Sequence, residues 1–179
     1  MDGKNIRVFD TMKLTNKIAI GCLVQWYEIE IIDEYIQSIR NALDLVDNKE
    51  NIVLDFVLVT NQDLEKINNE ITMEEIETKF MSFLPVGTVI KYKITDKLYT
   101  IADYRRDFND YYCDKVDILM WGESDSLIPR QTFQILDNLH NGVKETTPKY
   151  VGFFATCKMW DKSWEILEHY PCETLLEKN

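Results

Sequence analysis

Two acidic side chains follow an apolar stretch in the middle of the chain, and their spacing suits divalent-metal chemistry. Residues 116–121 read Val-Asp-Ile-Leu-Met-Trp, and Glu123 and Asp125 follow with one serine between them. Carboxylates are the hard oxygen ligands that hold Mg²⁺ or Mn²⁺ beside substrate phosphates. In open α/β sheets, ligands bind beyond the carboxyl ends of strands. The pattern predicts a cation site there, and the alternative is a pair of solvated loop acids with Asp125 forming a turn.

Apolar strands and amphipathic helices are predicted to position these acids. A continuous apolar run at 18–24 and the largely apolar stretches at 52–59 and 116–121 are typical of strands buried on both faces. An apolar stripe at spacings of three and four predicts a helix over 29–46. The first three elements therefore predict a right-handed βαβ unit with parallel strands. Further helices are predicted over 73–83, 100–112 and 129–140, the last with Pro129 in its first turn, and further strands over 86–94 and 150–157.

Composition and charge exclude several classes of protein. A chain of 179 residues, 45 % of them hydrophobic, can hold a globular core without disulfides or metal. The 20 basic against 31 acidic residues give a net charge of −11, which argues against nucleic-acid and anionic-lipid partners. No apolar run approaches the roughly 20 residues of a transmembrane helix. The four cysteines lack C-x-x-C spacing, and we expect a cytoplasmic protein without a membrane span; its oligomeric state is left open.

Several of these residues, in this order, resemble the GT-A glycosyltransferases, notably their large inverting family two. Glu123-Ser124-Asp125 after a buried strand is similar to the DXD motif of that family. The 18–24 strand, the acidic residue Glu28 and the 52–59 strand are similar to its first two strands and the acidic loop between them. The resemblance covers residues 18–140. Thr60-Asn61 stands where the family has Asp-Asp, and residues 23–28 replace its Pro-x-Tyr-Asn-Glu loop.

The resemblance implies a fold, an activity and a set of partners. The fold class would be α/β, three-layered, with a mainly parallel central sheet and helices on both faces. Residues 1–179 would form a single GT-A-like domain, with a polar N-terminal extension at 1–16 and a shortened acceptor-side region at 141–179. The activity would be transfer of a sugar from a nucleotide-diphospho-sugar donor to a hydroxyl acceptor. Mn²⁺ or Mg²⁺ would assist, and the family implies inversion at the sugar carbon.

The resemblance also implies roles for individual residues. Asp125 would be the metal ligand, and Glu123 would contact the ribose or a metal-bound water. Arg105 or Arg106 would reach the diphosphate, because the planar guanidinium suits phosphate oxygens. The remaining donor-binding residues would lie in the two loops that face the nucleotide: Trp26, Glu28 and Asn61. The residues alone leave alternatives open, namely an exposed Arg-Arg pair facing Asp103 and Asp107, packing of Trp26 at a strand end, and Asn61 in a turn.

Three side chains near the C-terminus are spaced to share one face of a helix. Asp161, Glu165 and His169 fall at i, i+4 and i+8. Asp161 or Glu165 could serve as the general base that deprotonates the acceptor hydroxyl, with His169 as a further metal ligand. The alternative is a solvated helix face with weak pairs. His140 is expected to close its helix by satisfying the last carbonyls.

Two other classes of function remain compatible with the sequence. One is a non-catalytic GT-A-like module that binds a nucleotide but lacks an acceptor half. The other is an α/β interaction protein whose acids are only surface charge. Metal-dependent nucleotide binding would separate both the enzyme and the non-catalytic module from the interaction protein. Turnover of a donor sugar would separate the enzyme from the module.

Overall fold

A parallel sheet forms the centre of the computed structural model, which describes residues 10–25, 28, 31–59, 74–75, 78, 89–95, 99–147 and 149–152. The strands are β1 (Ile18–Gln25), β2 (Ile52–Val59), β3 (Val89–Thr95) and β4 (Ile118–Glu123). They lie in the order β3-β2-β1-β4, and every neighbouring pair is parallel. The helices are α1 (Ile32–Leu43), α2 (Ile101–Tyr112) and α3 (Thr132–Val143), with a short 3₁₀ turn at Lys49–Asn51.

Burial on both faces of the central strands explains why their sequences are largely apolar. On one face, alternate residues of β1 and β2 pack against α1 and α3 in a core that contains Ile20, Phe56, Tyr35 and Phe133. On the other face, Ala19 and Leu23 of β1 and Val57 of β2 pack against the aromatic side of α2. Helices thus cover both faces of a parallel sheet, and the predicted α/β class is confirmed at that level.

Helix α2 begins at a capping box and is held to the sheet by two tyrosines. Thr100 Oγ1 accepts a hydrogen bond from the Asp103 amide at 3.1 Å, and the Asp103 carboxylate accepts one from the Thr100 amide at 3.2 Å. Tyr104 donates to the Asp55 carbonyl at 2.9 Å, and Tyr112 donates to the Asp55 carboxylate at 2.8 Å. Burial, followed by the nearby Asp55 charge, raises the pKa of Tyr104. These bonds fix the position of α2 across β2, and they therefore determine where the side chains that follow Tyr104 lie along the sheet.

The segment before β1 packs against the body of the protein, although a polar N-terminal extension was predicted at 1–16. Leu14 is buried, its amide donates to Asn48 Oδ1 at 2.7 Å, and Met12 forms an isolated parallel bridge with Val46. Asn16 is also buried and bonds to the Asp137 carboxylate of α3. The described residues from Met12 onwards therefore belong to the folded unit.

Element boundaries differ from the sequence predictions at several elements. Helix α1 ends at Leu43, before the predicted end at residue 46, and β3 runs to Thr95, one residue past the predicted end. Strand β4 runs two residues further than predicted, because Gly122 and Glu123 continue the ladder opposite Cys22 and Leu23. Helix α3 begins at Thr132, because the Pro129 carbonyl accepts from the Thr132 amide at 3.0 Å and from its hydroxyl at 2.7 Å in a preceding turn.

Two further predictions, for Pro129 and His140, differ from the structure, and two predicted elements lie mostly outside the described residues. Pro129 lies outside α3 rather than in its first turn, and the helix continues past His140 to Val143. The His140 ring nitrogen Nδ1 bonds to the Tyr150 hydroxyl at 3.1 Å instead of serving the last carbonyls. The 73–83 helix and the 150–157 strand lie mostly outside the described residues, and Tyr150 to Gly152 are not in a strand. Within the described ranges, no helix combines the length and apolar character needed to cross a membrane.

Candidate functional site

The order of the strands reverses between β1 and β4. From β1 the chain proceeds through α1 to β2 and on to β3, and it then returns through α2 to β4 on the other side of β1. In open α/β sheets, a reversal of this kind marks the edge where ligands bind, outside the carboxyl ends of the two strands. Here those ends are Gln25 of β1 and Glu123 of β4. The loop after β4 crosses to the α1 face, where the Ile128 amide donates to Ser38 Oγ at 3.1 Å.

Three acidic residues gather at this edge. Glu123 is the last residue of β4, Asp125 follows in a turn, and Glu28 follows β1. The Glu28 carboxylate accepts a hydrogen bond from the Gln25 amide at 2.8 Å, which ties the loop to the end of the strand. Burial raises the pKa of the Cys22 thiol well above its ordinary value, and the charges of Glu28, Glu123 and Asp125 raise it further. All three carboxylates therefore act on one buried point beneath the edge.

Arg105 of α2 provides the cationic side chain at the same edge. Its Nη2 forms an ion pair with Glu123 Oε1, and both side chains remain partly exposed, at 36 % and 52 %. The guanidinium also lies over the indole of Trp121, with 5.2 Å between its central carbon and the ring centroid. Its Nε is shielded from solvent and has no hydrogen-bond partner among the described residues. No local pattern in the sequence indicates the pairing with Glu123, which lies 18 positions along the chain.

Arg106 has different partners from its neighbour. Its guanidinium bonds to Asp103 at 3.0 Å and lies 3.5 Å from Asp107, and its side chain is 63 % exposed. Asp103 and Asp107 are the two acids that the sequence offered as the alternative partners of the Arg-Arg pair. The predicted alternative, an exposed arginine paired with Asp103 and Asp107, therefore applies to Arg106. The Arg105 side chain instead points towards the carboxyl end of β4. Of the two arginines, only Arg105 is placed among the acids of the strand ends.

The remaining predicted site residues lie outside the part of the chain that the structure describes. These are the two loop residues expected near the nucleotide base and the three C-terminal residues expected to act in catalysis or metal binding: Trp26, Asn61, Asp161, Glu165 and His169. Their roles stay predictions. The site that can be built consists of Glu28, Arg105, Glu123 and Asp125.

The donor set fits a cation that is shared with a ligand rather than one enclosed by protein. Among the described residues, no group of three or more His, Cys, Asp or Glu side chains is close enough to hold a metal ion. Mg²⁺ usually needs only one or two carboxylates, because waters and substrate phosphates complete its octahedral shell. Glu123 and Asp125, two positions apart at the end of β4, are hard oxygen donors of that kind. Glu123 and Asp125 would hold the ion jointly with phosphate oxygens of the ligand.

Two residues that shape this site, Trp121 and Asn109, were not among the site residues predicted from the sequence. Trp121 was counted only as part of an apolar strand, yet its side chain is 46 % exposed and lies on the α2 face of β4. Its Nε1 donates to Asn109 Oδ1 of α2 at 3.1 Å. Two signals in the sequence could have revealed them. Alternation along β4 places Trp121 and Glu123 on one face, and the i, i+4 spacing places Arg105 and Asn109 on one face of α2.

Comparison with known proteins gives no relative from which a role could be transferred. No family model matches the chain, and neither the curated proteins nor the solved structures include a significant match to it. The function is therefore inferred from the chain's own residues and their arrangement.

Proposed function

We propose that this protein binds a nucleotide-diphospho-sugar at the carboxyl edge of β1 and β4 and transfers the sugar to a hydroxyl acceptor. One observation carries the proposal: acids follow the ends of both β1 and β4 where the strand order reverses, and the guanidinium of Arg105 pairs with one of them, Glu123. The resemblance of Glu123-Ser124-Asp125 to the DXD motif supports the same reading. The three-layer GT-A assignment is part of this proposal, as are the roles of Asp161 and Glu165 as candidate bases.

The charges at the edge suggest how a diphosphate would be held. A protein with a net charge of −11 repels an anionic ligand unless cations offset the local field. Asp125 and Glu123 would hold Mn²⁺ or Mg²⁺, and Arg105 would bind phosphate oxygens through its planar fork of donors. The divalent cation would offset the negative charge that develops on the leaving nucleoside diphosphate. Asn61 and Trp26 would lie near the base.

The ion pair between Arg105 and Glu123 favours a second candidate, a module that binds the nucleotide without transferring sugar. Each partner already neutralises the other without any ligand. Binding requires only that the ion pair opens so that Arg105 can contact the ligand, whereas sugar transfer also requires an acceptor site and a base. The two candidates share the nucleotide site and differ in turnover.

Replacement of Asp125 by asparagine is expected to weaken metal-dependent nucleotide binding strongly. We would record thermal shifts with UDP, GDP, CDP and their sugars, each with and without Mn²⁺. A ligand at 100 times its dissociation constant adds about 2.7 kcal/mol of stability, which corresponds to a few degrees at this chain length. The shift should appear with one nucleotide, depend on Mn²⁺ and fall by more than half in Asp125→Asn, because a neutral amide is a poor ligand for a hard cation.

Asp114→Asn is the matched control, since Asp114 is an exposed acid just before β4, at the opposite edge of the sheet. It should retain the full shift. Release of nucleoside diphosphate from the bound sugar nucleotide would identify the transferase, and binding without release would identify the module. A folded protein that gives no shift with any nucleotide would refute both and leave an acidic α/β interaction protein.

A further inference from the structure

Trp121 occupies an unusual place for a large apolar side chain. It lies on β4, the end strand of the four described strands, and nearly half of its surface is exposed. An indole left in water forgoes much of the free energy that burial would supply. Its contacts are nevertheless specific: the ring faces the Arg105 guanidinium, and the N–H group donates to Asn109. The side chain is therefore held in one orientation by two residues of α2.

This arrangement restricts Arg105. An arginine side chain carries about 2 kcal/mol of rotamer entropy when free, so a guanidinium that must meet a small target benefits from being held in place beforehand. The Trp121 ring packs against one face of the guanidinium, and the hydrogen bond to Asn109 holds the ring in that orientation. Nη2 then points at Glu123, while Nε lacks an acceptor among the described residues. Nη2 is therefore the donor positioned to exchange a carboxylate oxygen for a phosphate oxygen.

We infer that Trp121, fixed by Asn109, is a positioning residue that holds the Arg105 guanidinium at the β4 edge, ready to exchange Glu123 for a phosphate group. The positioning rests on the contacts within the protein, and the identity of the phosphate ligand rests on the proposed function. Trp121 acts through Arg105 and need not touch the ligand. In this role Trp121 differs from a stacking platform, which would contact the nucleobase itself.

The positioning role can be tested without any ligand. Urea unfolding of Arg105→Gln, Glu123→Gln and the double variant gives the coupling between the two side chains as a factor in the unfolding equilibrium constant. We expect a factor of about three, within the range for partly exposed ion pairs. The same cycle in a Trp121→Leu background should give a factor near one, and Trp121→Phe, which keeps an aromatic face, should restore part of it.

The pair between Arg106 and Asp103 on the same helix is the matched control. It makes no contact with Trp121 in the structure's described contacts, so its coupling should be the same in both backgrounds. Loss of both couplings in Trp121→Leu would mean that α2 itself is disturbed, and an unchanged Arg105–Glu123 coupling would mean that Trp121 does not hold the guanidinium. Either result overturns the inference.

Nucleotide binding then tests the exchange. With the nucleotide that shifts the wild type, Trp121→Leu and Arg105→Gln should each weaken binding about tenfold, and the double variant should be no weaker than Arg105→Gln. Additive losses would show that Trp121 contacts the ligand directly and would overturn the positioning role. If the wild type binds no nucleotide, the proposed function fails, and the coupling measurement alone decides whether Trp121 positions Arg105.

Discussion

Replacing Asp137 with alanine is expected to destabilise the protein by about 3 kcal/mol, because buried donors would lose their acceptor. The Asp137 carboxylate accepts hydrogen bonds from the amides of Thr15 and Asn16 at 2.9 and 2.8 Å, and from Asn16 Nδ2 at 2.9 Å. It also accepts from the hydroxyl of Thr15 at 3.1 Å and from Asn141 Nδ2 at 3.2 Å. One side chain of α3 thereby anchors the segment that leads into β1.

The pattern across variants distinguishes this anchoring role from a general effect on α3. Asp137→Asn keeps one oxygen that can serve the two amides, so its cost should be about 1 kcal/mol. Asn138→Ala changes the exposed neighbour in the same helix and should have an effect below about 0.5 kcal/mol. Urea unfolding at constant m-value provides the measurement. Equal losses for Asp137→Ala and Asn138→Ala would contradict the role of the carboxylate.

Gly122→Ala is expected to cost about 1–3 kcal/mol through overpacking beneath the candidate site. A Cβ at position 122 would overlap the Tyr35 hydroxyl and lie 2.8 Å from its Cζ. Tyr35 is fully buried at the start of α1 and cannot swing into solvent, so the strand or the helix must shift. The glycine therefore lets α1 approach β4 at the level of Cys22, directly below the acids of the edge.

Removing the obstructing hydroxyl should rescue part of that loss. Tyr35 Oη has no hydrogen-bond partner among the described residues, so Tyr35→Phe alone should be neutral or slightly stabilising. In the double variant the remaining clash is with the ring, and about half of the lost stability should return, which is a non-additive result. Gly142→Ala is the matched control, because nothing lies within 4 Å of its added Cβ and alanine favours the helix.

The control should therefore gain up to about 1 kcal/mol from the same substitution that harms position 122. Thermal or urea unfolding of the four variants completes the comparison. Two results would contradict the packing described for α1 and β4. One is a Gly122→Ala protein as stable as the wild type, and the other is a Tyr35→Phe change that costs more than 1 kcal/mol.

The sequence was most informative where burial alone decides structure. The largely apolar run 52–59 matches β2 residue for residue, and 18–24 falls one residue short of β1, because strands buried on both faces consist mostly of apolar residues. Asp55 is the exception in β2, and its carboxylate accepts a hydrogen bond from Tyr112. The start of α3 was less predictable. Proline suits both a first helical turn and a preceding β-turn, and only the bonds from Thr132 to the Pro129 carbonyl decide for the turn.

The candidate site was predicted in its acids but not in its internal pairing. The position of Glu123 and Asp125 at a strand end followed from the apolar run before them, although the strand continues through Glu123 itself. The choice of Arg105 over Arg106 depends on how α2 is rotated over the sheet, which the tyrosine bonds to Asp55 determine. Contacts of that kind join residues far apart in sequence, and local patterns do not encode them.

Paramagnetic broadening by Mn²⁺ tests the location of the proposed site most directly. In ¹⁵N-labelled protein, a small amount of Mn²⁺ together with the nucleotide should first broaden the amide signals of Leu23 to Gln25 and of Glu123 to Ser126. Asp125→Asn should abolish this preference, whereas Asp114→Asn should leave it unchanged. Broadening spread over the acidic surface, with or without nucleotide, would contradict a cation and diphosphate site between β1 and β4.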